Sequence, residues 1–313
     1  MSYPVTSTVT LRRIGGYDDP GLDGAVAALF EAASCPVGRG DRVLVKPNLV
    51  GPRNTALSCS EPHVVRAVCL FALSRGAIVT VADSPAFGTG GIMARLAGLT
   101  QALADLPVAV ESLDAARPLR LAHGGSIGVS AKALDTDHIL NVARLKCHDQ
   151  MGMTLATKNF FGCVCGFRKS LAHQRLGRDR ARFARMLLDL LTALPPSTSL
   201  LDGIVAMHKA GPVGGEPFKL GLLGAAANPL ALDTAVYGLL KLAPEDIPLW
   251  AEALRQGLGG ARPEDVACAG EPLESFDVTG FLTPAALAPL HFEPKRFVKG
   301  RLRSVLLTLR GGR

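Results

Sequence analysis

Aromatic residues make up only 5% of this chain, with one Trp and three Tyr. So few stacking platforms, and no recognised nucleic-acid motif, argue against a DNA or RNA partner. Long apolar runs are also missing. The longest, "HVVRAVCLFAL" and "RMLLDLLTAL", are broken by charge well short of the roughly 20 residues that a membrane span needs. No basic stretch followed by an apolar one opens the chain, so no secretory signal is expected and the protein reads as cytoplasmic. Nicotinamide, flavin and pyridoxal fingerprints are absent too. Charged residues are sparse at 19%, but an apolar content of 48% excludes disorder.

The seven cysteines, at 35, 59, 69, 147, 163, 165 and 268, are odd in number and scattered, which excludes a secreted disulfide framework. A net charge of +7 points to acidic ligands or surfaces. The excess gathers at the end, where "HFEPKRFVKGRLRSVLLTLRGGR" (291–313) sets seven Lys/Arg against one Glu. This basic tail reads as a solvated amphipathic segment or as a peripheral contact with anionic lipid.

At 313 residues the chain can bury one large core. Strand-like and helix-like segments alternate. "TVTLRRI", "DRVLVKPNLV", "AIVTVAD", "DHILNVARLK", "SLLDGIVAM" and "KLGLLGAAA" read as strands. "SEPHVVRAVCLFALSRG" reads as a helix, with a Ser60 cap, Pro62 in the first turn and Gly76 as stop. The alternation predicts an α/β fold: a mostly parallel, doubly wound sheet with helices on both faces. Residues 1–290 would form one α/β domain, with a small inserted β-lobe near 105–135.

Open parallel sheets bind ligands outside the carboxyl ends of their strands. Here those ends carry Lys46, Pro47 and Asn48; Asp83 and Ser84; Asn141, Lys146 and His148; Asp202; then Gly211 and Gly214. Several strands thus deliver polar groups to one edge, which predicts a functional cleft. "GTGG" (88–91) before a helix suits an anion cradle or a plain turn. The glycines of "KAGPVGGEP" allow close backbone approach to a ligand, or simply join two strands.

The stretch "RLKCHDQMGMTLATKNFFGCVCGFRK" (144–169) concentrates reactive groups. A helix over Met153 to Phe161 would put Thr154 and Lys158 on one face, with Asn159 beside them. Neighbouring lysines lower each other's pKa, which suits acid–base or imine chemistry and equally suits gripping a carboxylate or phosphate. Cys163 and Cys165 form a C-x-C pair, and Cys147 with His148 could add ligands. Two thiols alone do not complete a tetrahedral site, so buried thiols, a redox pair and a metal or cluster site all stay open.

These motifs resemble the family catalogued as domain of unknown function 362. The resemblance rests on Lys46-Pro47-Asn48, Asp83-Ser84-Pro85, Lys146-Cys147-His148, Thr154 with Lys158-Asn159 and Gly162, Asp202-Gly203-Ile204, Gly211-Pro212 with Gly214, and Ala231-Leu232-Asp233. They stand in the family's order over about 40 to 240. Many members add a ferredoxin-like domain with C-x-x-C-x-x-C ligands, which this chain does not show; a separate ferredoxin partner would serve a redox reading of the cysteines. Met207-His208-Lys209 stands where an acidic residue is usual, and Cys165 replaces a common proline.

Together the residues predict an enzyme acting on a small anionic metabolite, a carboxylate or phosphate, by proton transfer of the lyase or isomerase type. His148, Lys158 and Lys146 would be the catalytic groups. Lys46, Asn48, Asp83, Ser84, Thr154, Asn159, Asp202, Gly211 and Gly214 would bind substrate, with Asp83 and Asp202 orienting the bases or holding a divalent ion. The alternatives are a redox or iron–sulfur protein using Cys147, Cys163 and Cys165, and a non-enzymatic ligand-binding module.

Overall fold

The computed structural model describes residues 7–85, 88–166, 168–176 and 179–289. The basic tail therefore lies outside the described residues. Eleven strands are described: β1 (Ser7–Arg13), β2 (Arg42–Lys46), β3 (Ile78–Asp83), β4 (Ala109–Ser112), β5 (Ala116–Arg120), β6 (Ser126–Ser130), β7 (His138–His148), β8 (Gly152–Thr154), β9 (Ser197–His208), β10 (Glu216–Ala226) and β11 (Val266–Gly270).

Nine of them form one sheet in the order β11-β1-β10-β9-β7-β2-β3-β4, with β8 paired to β7. From β9 to β4 every neighbour is parallel, as the βα alternation demands. β10 departs from the parallel expectation. It runs antiparallel to both β9 and β1, because residues 209–215 are too short for a crossover and close a hairpin instead. β7, at the centre, is buried along all eleven residues, which explains its almost unbroken apolar sequence before Lys146.

Helices cover both faces. Leu22–Ala32, Pro62–Ser74 and Gly90–Leu96 pack into one apolar cluster, and Arg180–Ala193, Pro229–Leu239 and Pro248–Gln256 into the other. Among the described residues, no helix is long and apolar enough to cross a membrane.

Three local expectations change. The region near 105–135 is not wholly an insertion, since β4 extends the main sheet and only β5 and β6 form a separate antiparallel ribbon. Met153 to Phe161 is not one helix. After β7 the chain turns back as β8, and only Ala156–Asn159 is α-helical before a 3-10 turn. The helix Pro62–Ser74 is capped by the Glu61 carboxylate, which accepts the N–H groups of His63 and Val64. Ser60 does something else: its hydroxyl accepts the Asn48 N–H and donates to the Val142 carbonyl, both at 2.7 Å. That tie fixes the Lys46-Pro47-Asn48 turn against β7.

Candidate functional site

A cleft of about 200 Å³ opens at the carboxyl ends of β2, β3 and β7. Asn48, Asp83, Ser84, Lys146, His148, Thr154, Lys158 and Asn159 all line it, joined by Phe161, Gly162, Lys169 and Pro212. Eight of the predicted site residues therefore meet in one place.

Lys146 is the most constrained. Its side chain is 1% exposed, and Nζ donates to Asn48 Oδ1 and to the Ser58 carbonyl. Burial pulls its pKa down to about 7, with Lys158 and Arg144 lowering it further against the pull of Cys59 and Asp83. A neutral amine has two N–H bonds, and both have acceptors here. What remains for the cleft is the lone pair.

Lys158 and Lys169 are each lowered to about 8, first by burial and then by cations, Lys169 acting on Lys158 and Lys46 on Lys169. Lys169 Nζ donates to the Ser84 carbonyl and lies 5.9 Å from the Phe161 ring centre. Lys158 Nζ has no hydrogen-bond or ion-pair partner among the described residues. Beside it, the buried Thr154 hydroxyl is also without a partner. Thr154 reaches the cleft from β8, not from a helix shared with Lys158.

His148 is 7% exposed, and its Nδ1 accepts the Gln150 N–H at 3.2 Å. The neutral ring therefore carries its proton on Nε2. His148 and Lys146 sit within the end of β7 rather than beyond it.

Lys46 lies under the cleft, not in it. Its ammonium is fully buried, 2.9 Å from Asp83 Oδ1, while Asp83 Oδ2 accepts the Leu49 N–H at 2.7 Å. A methyl group on Gly162 would come within 2.1 Å of Asp83 Oδ1 and 2.3 Å of Lys46 Nζ. Only glycine lets the chain pass over this pair. Ser84 serves its surroundings too, its hydroxyl accepting the Gly166 N–H at 3.0 Å.

The helical turn Ala156–Asn159 is positioned from a distance. Asp233, on Pro229–Leu239, accepts the N–H groups of Ala156 and Thr157 at 2.7 and 3.0 Å. It replaces the missing capping residue of a turn too short to stand alone. Burial raises its carboxyl to about 7 despite those bonds.

Asp202, Gly211 and Gly214 do not join the cleft. Asp202 sits inside β9, where it pairs with Arg144 at 3.2 Å and accepts from the Tyr17 hydroxyl at 3.1 Å. Its lone pairs are committed to that buried cluster, so it orients Arg144 and not a substrate. A side chain on Gly211 would collide with the Cys147 carbonyl at 1.8 Å, so this glycine admits backbone, not ligand. In the "GTGG" turn, Gly90 packs against the Asp83 and Glu111 carbonyls in the same way and offers no anion cradle.

Among the described residues the three thiols are free, and Cys147 and Cys165 point to separate partners. Cys147 turns toward Met153 and the Leu282 carbonyl, and Cys165 toward the Asp114 carbonyl. Burial pushes Cys147 and Cys163 up to about 12 and raises Cys165, which keeps all three as thiols. Among the described residues, no three His, Cys, Asp or Glu side chains gather where they could hold a metal. Asp83 and Asp202, each held by its own cation, do not fit a divalent ion either.

Lys169, Tyr17 and Arg144 had no assigned role in the sequence reading. Nothing local marks Lys169, and only the fold brings it to the Ser84 carbonyl. Arg144 carried one usable signal, a charge inside an otherwise apolar strand.

Among curated proteins, thylakoid-associated protein sll1697 of Synechocystis is 34% identical over 310 residues, spanning 96% of this chain and 94% of that protein. Among solved structures, the lactate racemase apoprotein of Thermoanaerobacterium thermosaccharolyticum aligns with a TM-score of 0.46 at 11% identity. That alignment covers 75% of this chain and 57% of the racemase. A protein from Thermotoga maritima aligns with a TM-score of 0.38 at 14% identity, over 62% of this chain and 52% of its own. At such TM-scores neither structure carries a functional argument. The family model described as Domain of unknown function (DUF362) matches residues 43–238, which contain every lysine of the cleft, and the chain belongs to that family.

Proposed function

We propose that the protein is an enzyme that binds a small carboxylate and moves a proton at the carbon beside it, as lyases and isomerases do. The observation that carries this reading is Lys146: a buried amine lowered to about 7, with both N–H bonds engaged and its lone pair left over. A base with a pKa near the working pH combines the right protonation state with enough driving force.

Lys158 and Lys169 supply the opposite property. Lowered only to about 8, they stay largely charged at neutral pH and hold the substrate carboxylate. As Lys146 takes the proton, negative charge grows on the carboxylate oxygens, and the two cations stabilise it. The Thr154 hydroxyl is a donor for one of the substrate's other oxygens. Lys46 and Asp83 form the floor, and the Asp83 charge favours the Lys169 ammonium.

Incubation with lactate or malate in D2O, followed by NMR, tests this. Deuterium should enter beside the carboxylate, and Lys146→Met should slow exchange by about 10²–10⁴-fold while substrate still binds. Lys158→Met should chiefly weaken binding. Unchanged exchange in Lys146→Met would refute the assignment.

A further inference from the structure

Lys158 stands apart from the other amines of the site. Lys46 is paired with Asp83, Lys146 donates to Asn48 and Ser58, and Lys169 donates to Ser84. Lys158 Nζ has no such partner among the described residues. It rises from a helical turn pinned by Asp233, next to a buried Thr154 hydroxyl that is likewise unpartnered. An amine that breaks no bond when it moves, on a base that does not move, is placed to bond covalently. The neighbouring Lys146 can accept a proton from it.

Resting on the reading of Lys146 as a base, we propose that Lys158 and Lys146 form a nucleophile–base pair that makes a reversible imine between Lys158 and 2-oxo acids. The Lys158 ammonium passes one proton to the Lys146 lone pair, and the freed amine attacks the substrate's carbonyl carbon. The carbonyl oxygen takes a proton from the attacking nitrogen, giving a carbinolamine. Lys146 returns its proton to that hydroxyl, which leaves as water while the C–N double bond forms. One carbonyl and one ammonium become one protonated imine and one water, with no oxidant or reductant. The C–H bonds at C3, beside the imine carbon and one carbon further from the carboxylate, are acidified, which opens the same kind of proton transfer at that position.

Size and charge set the substrate class. At about 200 Å³ the cleft holds some six or seven water-sized units at ~30 Å³ each, enough for an acid of three to five carbons. With a 2-oxo acid the carboxylate stays on Lys169, whose Nζ donates to the Ser84 carbonyl, and the carbonyl meets Lys158, which lines the same cleft. The burial that lowers Lys158 to about 8 leaves a usable fraction of free amine at neutral pH.

Pyruvate with sodium cyanoborohydride tests the pair, read by intact mass and peptide mapping. The expected result is a single reduced adduct on Lys158, at least ten-fold lower in Lys158→Arg, which keeps charge and bulk but cannot form the imine. Lys146→Met should slow trapping and move its pH dependence upward. No adduct, an adduct on a different lysine, or an undiminished adduct mass in Lys158→Arg would overturn the proposal. Lactate, which has no carbonyl, separates the two readings. Deuterium exchange into lactate without pyruvate trapping removes the imine alone, whereas loss of exchange counts against the proton-transfer reading itself.

Discussion

Lys146 Nζ donates to Asn48 Oδ1, and this bond begins a one-way chain of amides. Asn48 Nδ2 donates to Asn159 Oδ1 at 2.7 Å, Asn159 Nδ2 to Asn141 Oδ1 at 2.8 Å, and Asn141 Nδ2 to the Ala156 carbonyl at 3.0 Å. Each amide fixes the orientation of the next, so Asn48 must present its oxygen to the lysine. The chain starts at the cleft and ends in the core. It is the device that holds a lone amine still.

Replacing Asn48 by Asp should therefore change the base without moving it. A carboxylate beside Lys146 favours the ammonium and should raise its pKa by about 1–3 units. The pH at which deuterium exchange reaches half its maximum should move up accordingly. Asn48→Ala, which removes the acceptor but adds no charge, should not reproduce that shift.

The lowered lysines make a stability prediction with a definite sign. A cation whose folded pKa lies below its unfolded value of about 10.4 binds fewer protons when folded, so stability rises with pH across the interval. For Lys146, Lys158 and Lys169 the interval begins at about 7 to 8. The penalty is fully present below it. Asp233, raised to about 7, acts in the opposite sense but only on the acid side of the same window. Above about 9 the raised thiols begin to oppose the lysines, so pH 7 to 8.5 is the range to compare. Urea midpoints should climb there in the natural protein and climb less in Lys146→Met.

Gly162→Ala tests the floor of the cleft. The added methyl would sit within 2.3 Å of both Lys46 Nζ and Asp83 Oδ1, so the ion pair must part or the chain must lift. Overpacking of this kind costs about 1–3 kcal/mol. Denaturant unfolding should show that loss together with reduced exchange, because Asp83 also touches the Leu49 N–H behind Asn48.

Asp233→Ala strands two buried N–H groups at the start of the turn that carries Lys158. Each unsatisfied donor costs about 1–3 kcal/mol, so a combined loss of about 2–6 kcal/mol is expected. Asp233→Asn keeps one acceptor oxygen and should lose less. Equal stability of the two variants would show that Asp233 does not hold the turn.

Much of the site was legible because strand ends declare themselves. An apolar run that stops at Lys46, Asp83 or Lys146 places those residues on one edge, and parallel pairing of β2, β3 and β7 makes them neighbours. Spacing misled in two places. Thr154 and Lys158 are four apart, as on a helix, but the turn after His148 sends Thr154 back along β7. Asp202 looked like a strand end until Arg144, on the adjacent strand, claimed it from within the sheet. The role of Asp233 was beyond local reading altogether, because its partners lie 76 and 77 residues away. The antiparallel direction of β10 was written in its connection rather than in the strand, since residues 209–215 are too short for a crossover.

Lys146 should be about half neutral at pH 7, and its side-chain carbon signals report this directly. Lysine Cε shifts of ¹³C-labelled protein, followed by NMR from pH 5.5 to 10, should include one that titrates near 7 and disappears in Lys146→Met. If every lysine Cε titrates near the ordinary value of about 10.4, the lone pair does not exist at working pH and the account fails.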